Sequence, residues 1–136
     1  KVEGYSMYPT LHSGDCVLFD PLVYKRVAPK KMDIVLIKHP IRKDIMIIKR
    51  IAGEPGVSVI DHSDEFIVDG IPYSKATDGS LVDPTESKLQ EDEYFVVGDY
   101  LQRSIDDSRT LGPFPRKSIK ARAWLVYWPP SRGHFI

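Results

Sequence analysis

The chain has 136 residues, enough for one well-buried core and too few for two. Its 19 Lys and Arg residues balance 19 Asp and Glu, so no broad basic surface exists for a phosphate backbone, which argues against nucleic acid as a partner. The lone Cys16 can form no internal disulfide, no zinc-ligand spacing is present, and no apolar run reaches the roughly eighteen residues of a membrane span.

Eleven prolines and nine glycines cut the chain into short pieces rich in β-branched and aromatic residues. The opening KVEGYS lacks the apolar core of a signal peptide and reads as a strand, so an upstream part is expected to be missing. Further strands are expected at 16–20, 33–38, 45–51, 57–60, 65–68, 94–97 and 119–128, with Cys16 as a small buried side chain in the first of them. Asp69-Gly70, between EFIV and IPYS, signals a hairpin turn, because both central residues of such a turn need positive φ. Only 84–91 and 115–118 could form a helical turn or two. The expected fold is mostly β, a compact assembly of short antiparallel sheets with very little helix. A single domain over 1–136 is expected, with the polar residues 74–92 as a surface excursion.

Within the strand at 45–51, the apolar run Ile45 to Ile48 leads straight into Lys49. Alternation puts Lys49 on the face of Ile45, Ile47 and Ile51, and Arg50 with Met46 and Ile48. Two readings stay open. A lysine at a sheet edge can bury its stem and keep its head in water. Alternatively, burial of the amine is the purpose, since desolvation disfavours its charge. A lysine near its reference pKa of about 10.4 is neutral about once in a thousand molecules at neutral pH, and making it neutral takes on the order of 4 to 5 kcal/mol. Such an amine could accept a proton, and the question is from what.

GYSMYPTLHSGD, residues 4–15, supplies a candidate. Ser6 lies two residues after Gly4 and three before Pro9, in a segment that must turn sharply, which suits an exposed side chain on a rigid loop. A serine hydroxyl attacks a carbonyl when a base removes its proton, and a neutral lysine can be that base; equally, serine bends and caps chains everywhere. Other schemes fit worse. GYSMY is not a G-x-S-x-G elbow and no βαβ rhythm surrounds it. His12, His39, His62 and His134 occupy no triad context and read as surface or turn residues, while Asp106 and Asp107 are adjacent and point apart in extended structure.

SMYPTL with Gly14-Asp15, then IIKRIAGEPG, then YFVVGDYLQRSIDDSR, and finally RAWLVYWP resemble, in that order, the motifs of bacterial and organellar type I signal peptidases. The resemblance runs from Val2 to Pro129. It implies a signal-peptidase-like β fold and a membrane-anchored serine endopeptidase acting on the extracytoplasmic side, with no cofactor or metal. It would remove signal peptides from exported preproteins by cutting after small residues. By the same resemblance Ser6 is the nucleophile, Lys49 the general base, and Ser104 the hydroxyl that orients Lys49. An aspartate beside Arg109, taken as Asp107, forms a structural ion pair. Val2, Met7, Leu11 and Ile48 fall where shallow apolar pockets are lined, and an extended substrate could add as a strand along Val2 to Tyr5, which includes Gly4 and Tyr5, or along the strand carrying Lys49. The implied partners are preprotein signal peptides and a membrane surface, and Tyr5, Tyr8, Trp124 and Trp128 read equally as a lipid-facing patch or as core and rim.

The chain departs from the family pattern in places. One extra residue separates Ser104 from Ser108, so Asp106 or Asp107 could pair with Arg109 and Ser104 could be displaced from Lys49. Tyr100 stands where asparagine is usual and Val57 where aspartate is, and both are expected to alter turns more than chemistry. Gly4 offers no side chain as a second oxyanion donor. Three alternatives remain: a self-cleaving SOS-type repressor, which lacks the third motif; a dedicated maturation peptidase of the same family, such as one for a nickel superoxide dismutase precursor; and a non-catalytic β-sheet peptide-binding module.

Overall fold

A computed structural model describes residues 1–75, 79, 81 and 83–136. Its elements are β1 (Cys16–Asp20), β2 (Ile34–Lys38), β3 (Met46–Gly53), β4 (Ser58–Asp61), β5 (Glu65–Val68), β6 (Ile71–Ser74), β7 (Thr85–Lys88), β8 (Glu93–Val97), α1 (Ser108–Leu111), β9 (Phe114–Pro115), β10 (Ile119–Trp128) and β11 (His134–Phe135), with short 3-10 turns between some of them. All strand pairs are antiparallel. The larger sheet runs β1-β10-β2-β3-β8-β9 with β11 against β10, and the smaller runs β6-β5-β4-β7. The mostly β architecture expected from the short, β-branched segments is the one observed.

Alternation along the long central strands builds the core. Val35 and Ile37 of β2, Ile51 of β3, and Tyr94 and Val96 of β8 share one cluster with Phe114 and Ile119. The opposite face of the large sheet packs Ile34, Ala123 and Val126 against Val2, Met7 and Leu11 of the N-terminal segment. Ala52, Phe95 and Val97 pack with Val59, Val68 and Leu89, which joins the two sheets. β3 is therefore an interior strand, paired with β2 on one side and β8 on the other. The β8 partners begin only at Arg50, so the β8 side of Lys49 is unpaired; the edge explanation fails instead because the side chain is buried, with no head reaching water.

Asp69 and Gly70, at φ of 51° and 80°, form the turn between β5 and β6 that their sequence signalled. Several expectations need correction. The opening residues form no strand: only Val2 is bridged, donating to the Asp15 carbonyl (2.7 Å) and accepting from Gly14 (2.8 Å), before the chain bends at Gly4. Within 84–91 the chain is extended rather than helical, because Thr85–Lys88 completes the free edge of β4 and Leu89 anchors it in the core. This exposed strand lies within the surface excursion expected at 74–92, of which residues 76–78, 80 and 82 lie outside the described residues. Cys16 begins β1 as expected but is only half-buried. His39 is buried, at 3 % exposure, rather than superficial.

Candidate active site

The N-terminal segment, β3 and the loop after β8 meet around a cleft of about 640 Å³ whose lining includes Ser6 and Lys49. Ser6 sits in a compact turn closed by Tyr8 N–H to the Tyr5 carbonyl (3.0 Å) and Leu11 N–H to the Met7 carbonyl (2.9 Å). The turn is fastened from the other side, since Tyr100 N–H donates to the Ser6 carbonyl (2.8 Å). Gly98 makes this junction possible. A Cβ there would lie 2.4 Å from Ser104 Oγ and 2.6 Å from the Ser6 carbonyl oxygen, so only glycine lets the backbones approach this closely. Its N–H donates to Ser104 Oγ (3.0 Å).

Lys49 stands opposite Val35 in the β2–β3 register and is 4 % exposed. Its Nζ donates to Ser104 Oγ at 2.9 Å, and among the described residues it makes no ion pair. Burial pushes this amine below the usual lysine range, Asp107 and then Asp106 pull it back up, and Arg109 adds a smaller downward push. Ser104 donates its one proton to Asp107 Oδ2 (2.6 Å) and accepts from Lys49 and Gly98, so its single donor and both lone pairs are in use. Asp107 in turn pairs with Arg109 (Nη2 to Oδ2, 2.9 Å) and caps α1 by accepting from Arg109 N–H (3.0 Å). Arg109 Nη2 also donates to the Leu101 and Ser104 carbonyls.

This network resolves the extra residue in the third motif. Asp107, and not Asp106, pairs with Arg109, and Ser104 still reaches Lys49. The slack is taken up outward, leaving Ile105 73 % exposed, because Ser104 and Asp107 are tied down on either side of it. Asp106 binds Arg42 instead (2.7 Å).

Val2, Gly4, Tyr5, Met7 and Ile48 line the cleft together with Ser6 and Lys49. Leu11 does not. It is fully buried against the large sheet, because the turn after Ser6 folds it inward to fill the core beneath the cleft. Leu36, Arg103 and Ile105 contribute to the lining without having been singled out from sequence, and Asp106, weighed only as a partner for Arg109 or Asp107, lines it too. Also overlooked was Asp99, which joins all three motifs. It accepts from Thr10 Oγ1 (2.6 Å) and receives both Arg50 Nε (2.7 Å) and Nη2 (2.6 Å). The signal was present, since a Thr, an Arg and an Asp lie inside the three quoted motifs, but only the fold shows that they converge. The aspartate of Gly14-Asp15 serves elsewhere. Asp15 is 1 % exposed and binds Arg132 (3.0 Å), whose hydrogen bonds hold its carboxyl below the usual range.

Tyr5, Tyr8, Trp124 and Trp128 are all exposed, so none belongs to the core. No helix of the described residues is long and apolar enough to cross a membrane, and among them no group of three or more His, Cys, Asp or Glu could hold a metal ion.

Comparison with known proteins points to one family over most of the chain. The family model described as "Signal peptidase, peptidase S26" matches residues 1–128. Signal peptidase I V of Bacillus subtilis (strain 168) is 36 % identical, over 88 % of this chain and 79 % of its own length. Signal peptidase I of Bacillus licheniformis is 34 % identical, over 94 % and 75 %. Thylakoidal processing peptidase 1 of Arabidopsis thaliana is 30 % identical, over 97 % of this chain but 42 % of its own. A signal peptidase I structure from Enterococcus faecalis superposes with a TM-score of 0.51 at 23 % identity, covering 71 % of this chain and 97 % of that one, which shows a shared fold.

Proposed function

Since this chain belongs to the signal peptidase, peptidase S26 family, we propose that it is a serine endopeptidase that removes signal peptides from exported preproteins, with Ser6 as nucleophile and Lys49 as general base. The observation that carries this reading is the setting of Lys49: a dry amine, held by a hydroxyl rather than by a carboxylate, on the wall of the cleft that also holds Ser6.

Ser104 gives its proton to Asp107, so the bond to Lys49 uses a lysine N–H and directs the lone pair of the neutral amine away from Ser104. Ser6 Oγ makes no hydrogen bond among the described residues, so substrate binding has to bring the two groups into contact, as is common for catalytic bonds that tighten only in the complex. Lys49 takes the Ser6 proton as Oγ bonds to the scissile carbonyl carbon. The resulting ammonium then returns that proton to the leaving amine as the C–N bond breaks. Water, activated by the same amine, hydrolyses the ester. The Ser6 N–H donates to no group among the described residues and is free for the oxyanion. Losing one such donor costs roughly 2.7 to 4 kcal/mol in comparable sites.

Val2, Met7 and Ile48, which line the cleft, would admit small side chains and exclude bulk, the discrimination suited to many different leaders. The exposed Tyr5, Tyr8, Trp124 and Trp128 suit work at a membrane surface, with the catalytic part on the extracytoplasmic side of an anchored enzyme. The test is cleavage of a peptide carrying Ala at the first and third positions before the cut. Wild-type protein is expected to cut it at that one site, and Ser6→Ala not at all. Unchanged cleavage by Ser6→Ala would overturn the assignment, and tight peptide binding with no product at any pH would favour a binding module.

A further inference from the structure

The residue that lengthens the third motif has its own surroundings. Asp106 lines the cleft that contains Lys49, and its side chain is 27 % exposed. Its Oδ2 receives Arg42 Nη2 at 2.7 Å and faces His39 Nε2 at 3.5 Å. Arg42 and His39 belong to the connection between β2 and β3, whereas Asp106 belongs to the loop after β8, so the contact ties two separate segments together at the Asp106 wall of the cleft.

His39 makes this arrangement directional. Its Nδ1 accepts from two backbone donors, Ile41 N–H (3.1 Å) and Arg42 N–H (2.9 Å), so the ring proton resides on Nε2. That Nε2 is buried and has no other partner among the described residues, and Asp106 is the group it faces. The same ring therefore folds the turn that aims Arg42 and points its own N–H at the carboxylate Arg42 binds. A buried imidazole committed in this way exceeds what closing a surface turn requires.

We infer that Asp106 is a positioning residue for Lys49, a carboxylate at the cleft wall whose influence on the amine is restrained by the Arg42 and His39 clamp. This rests on Lys49 being the base whose charge matters. The charged groups that bear on the amine are Asp107 and Asp106, which favour its ammonium form, and Arg109, which opposes it; desolvation outweighs them all. Asp107 is already committed to Arg109 and Ser104. Asp106 is the adjustable one, because its counter-ion Arg42 is 57 % exposed and can be removed without opening the core. Neutralising Asp106 favours the free amine, whereas removing Arg42 uncovers the carboxylate and favours the ammonium form. The two substitutions act in opposite directions, which mere loosening of the wall would not do.

The experiment compares wild type, Asp106→Asn, Arg42→Ala and the double variant, following the Lys49 amine by NMR titration of labelled lysine side chains alongside the pH dependence of kcat/KM for a cleavable peptide. The amine is expected to titrate at lower pH in Asp106→Asn and at higher pH in Arg42→Ala. On the acidic limb the first should then be faster than wild type and the second slower, each by about two- to fivefold. The double variant should match Asp106→Asn, because Arg42 has nothing left to screen. An unmoved amine, shifts of the same sign, or an additive double variant would overturn the proposal. If the amine shifts as stated while the rate profile stays fixed, the clamp stands and the assignment of Lys49 as base falls.

Discussion

Lys49 and Arg50 are neighbours on β3, yet strand alternation sends them to opposite sides of the sheet and into opposite electrostatic surroundings. Arg50 meets Asp99 through two guanidinium nitrogens, donates to the Met32 carbonyl (2.8 Å), and is held even more firmly in its charged form by its bonds to Asp99. Lys49 meets a hydroxyl, and the nearest committed carboxylate is one step further away, behind Ser104. Both side chains are largely removed from water, so burial alone does not separate them. The partner does. A planar cation paired two-to-two with a carboxylate is a fastener, whereas an ammonium given only an oxygen that spends its proton elsewhere is poised to lose its own.

Exchanging the two chemistries should have the largest effect. Lys49→Arg preserves a positive charge in the pocket but installs a group that stays protonated, so kcat/KM on the Ala-containing peptide is expected to fall by about 10³-fold or more. Near-normal turnover would place the base elsewhere. Removing the intermediary comes next. Ser104→Ala leaves Lys49 without its acceptor and should lower kcat by about 10- to 100-fold with KM little changed, since orientation rather than substrate contact is lost. A change confined to KM would mean that Ser104 acts as part of the substrate cleft. On the other side of the strand, Arg50→Lys keeps the charge and loses the fork. Thermal unfolding should show a loss of about 1 to 2 kcal/mol, with the acidic limb of the rate profile unmoved.

How much of this could be read from the chain follows from the range of each interaction. Strand positions, the Asp69-Gly70 hairpin and the apolar face of Lys49 are local patterns of alternation and turn chemistry, and 16–20, 65–68 and 119–128 were legible to the residue. The opening residues misled because Val2 and Tyr5 carry strand-like side chains, whereas the backbone bends at Gly4 and is tied only at Val2, to the turn at Gly14-Asp15. Residues 85–88 carry no apolar alternation because they close a sheet edge that sequence does not reveal. At the site, spacing could not choose between Asp106 and Asp107, and what decides is the N-cap of α1, which places the Asp107 carboxylate over Arg109 N–H and beside Ser104. The Thr10–Asp99–Arg50 junction, the burial of His39 and the inward fold of Leu11 depend on contacts between distant segments, to which periodicity is blind.

The smallest expected effect is also the one that separates function from stability. If Lys49 is kept dry for its chemistry, the fold bears a cost that Arg50 does not impose, and an apolar side chain of similar length should relieve it. Lys49→Met is expected to abolish cleavage while raising stability at neutral pH by on the order of 1 kcal/mol. The pH dependence gives the sign. The unfolded chain holds the lysine proton up to its ordinary value of about 10.4, while the native amine releases it at lower pH, so between those points the unfolded state binds more protons and wild-type stability rises with pH. The advantage of the methionine variant should therefore be greatest below the native titration and shrink as the medium approaches the unfolded value. Denaturant titrations of both proteins across that window measure the difference directly. A constant difference would show that the amine is no more reluctant to carry charge inside the protein than outside it, and that the contrast with Arg50 is one of geometry alone.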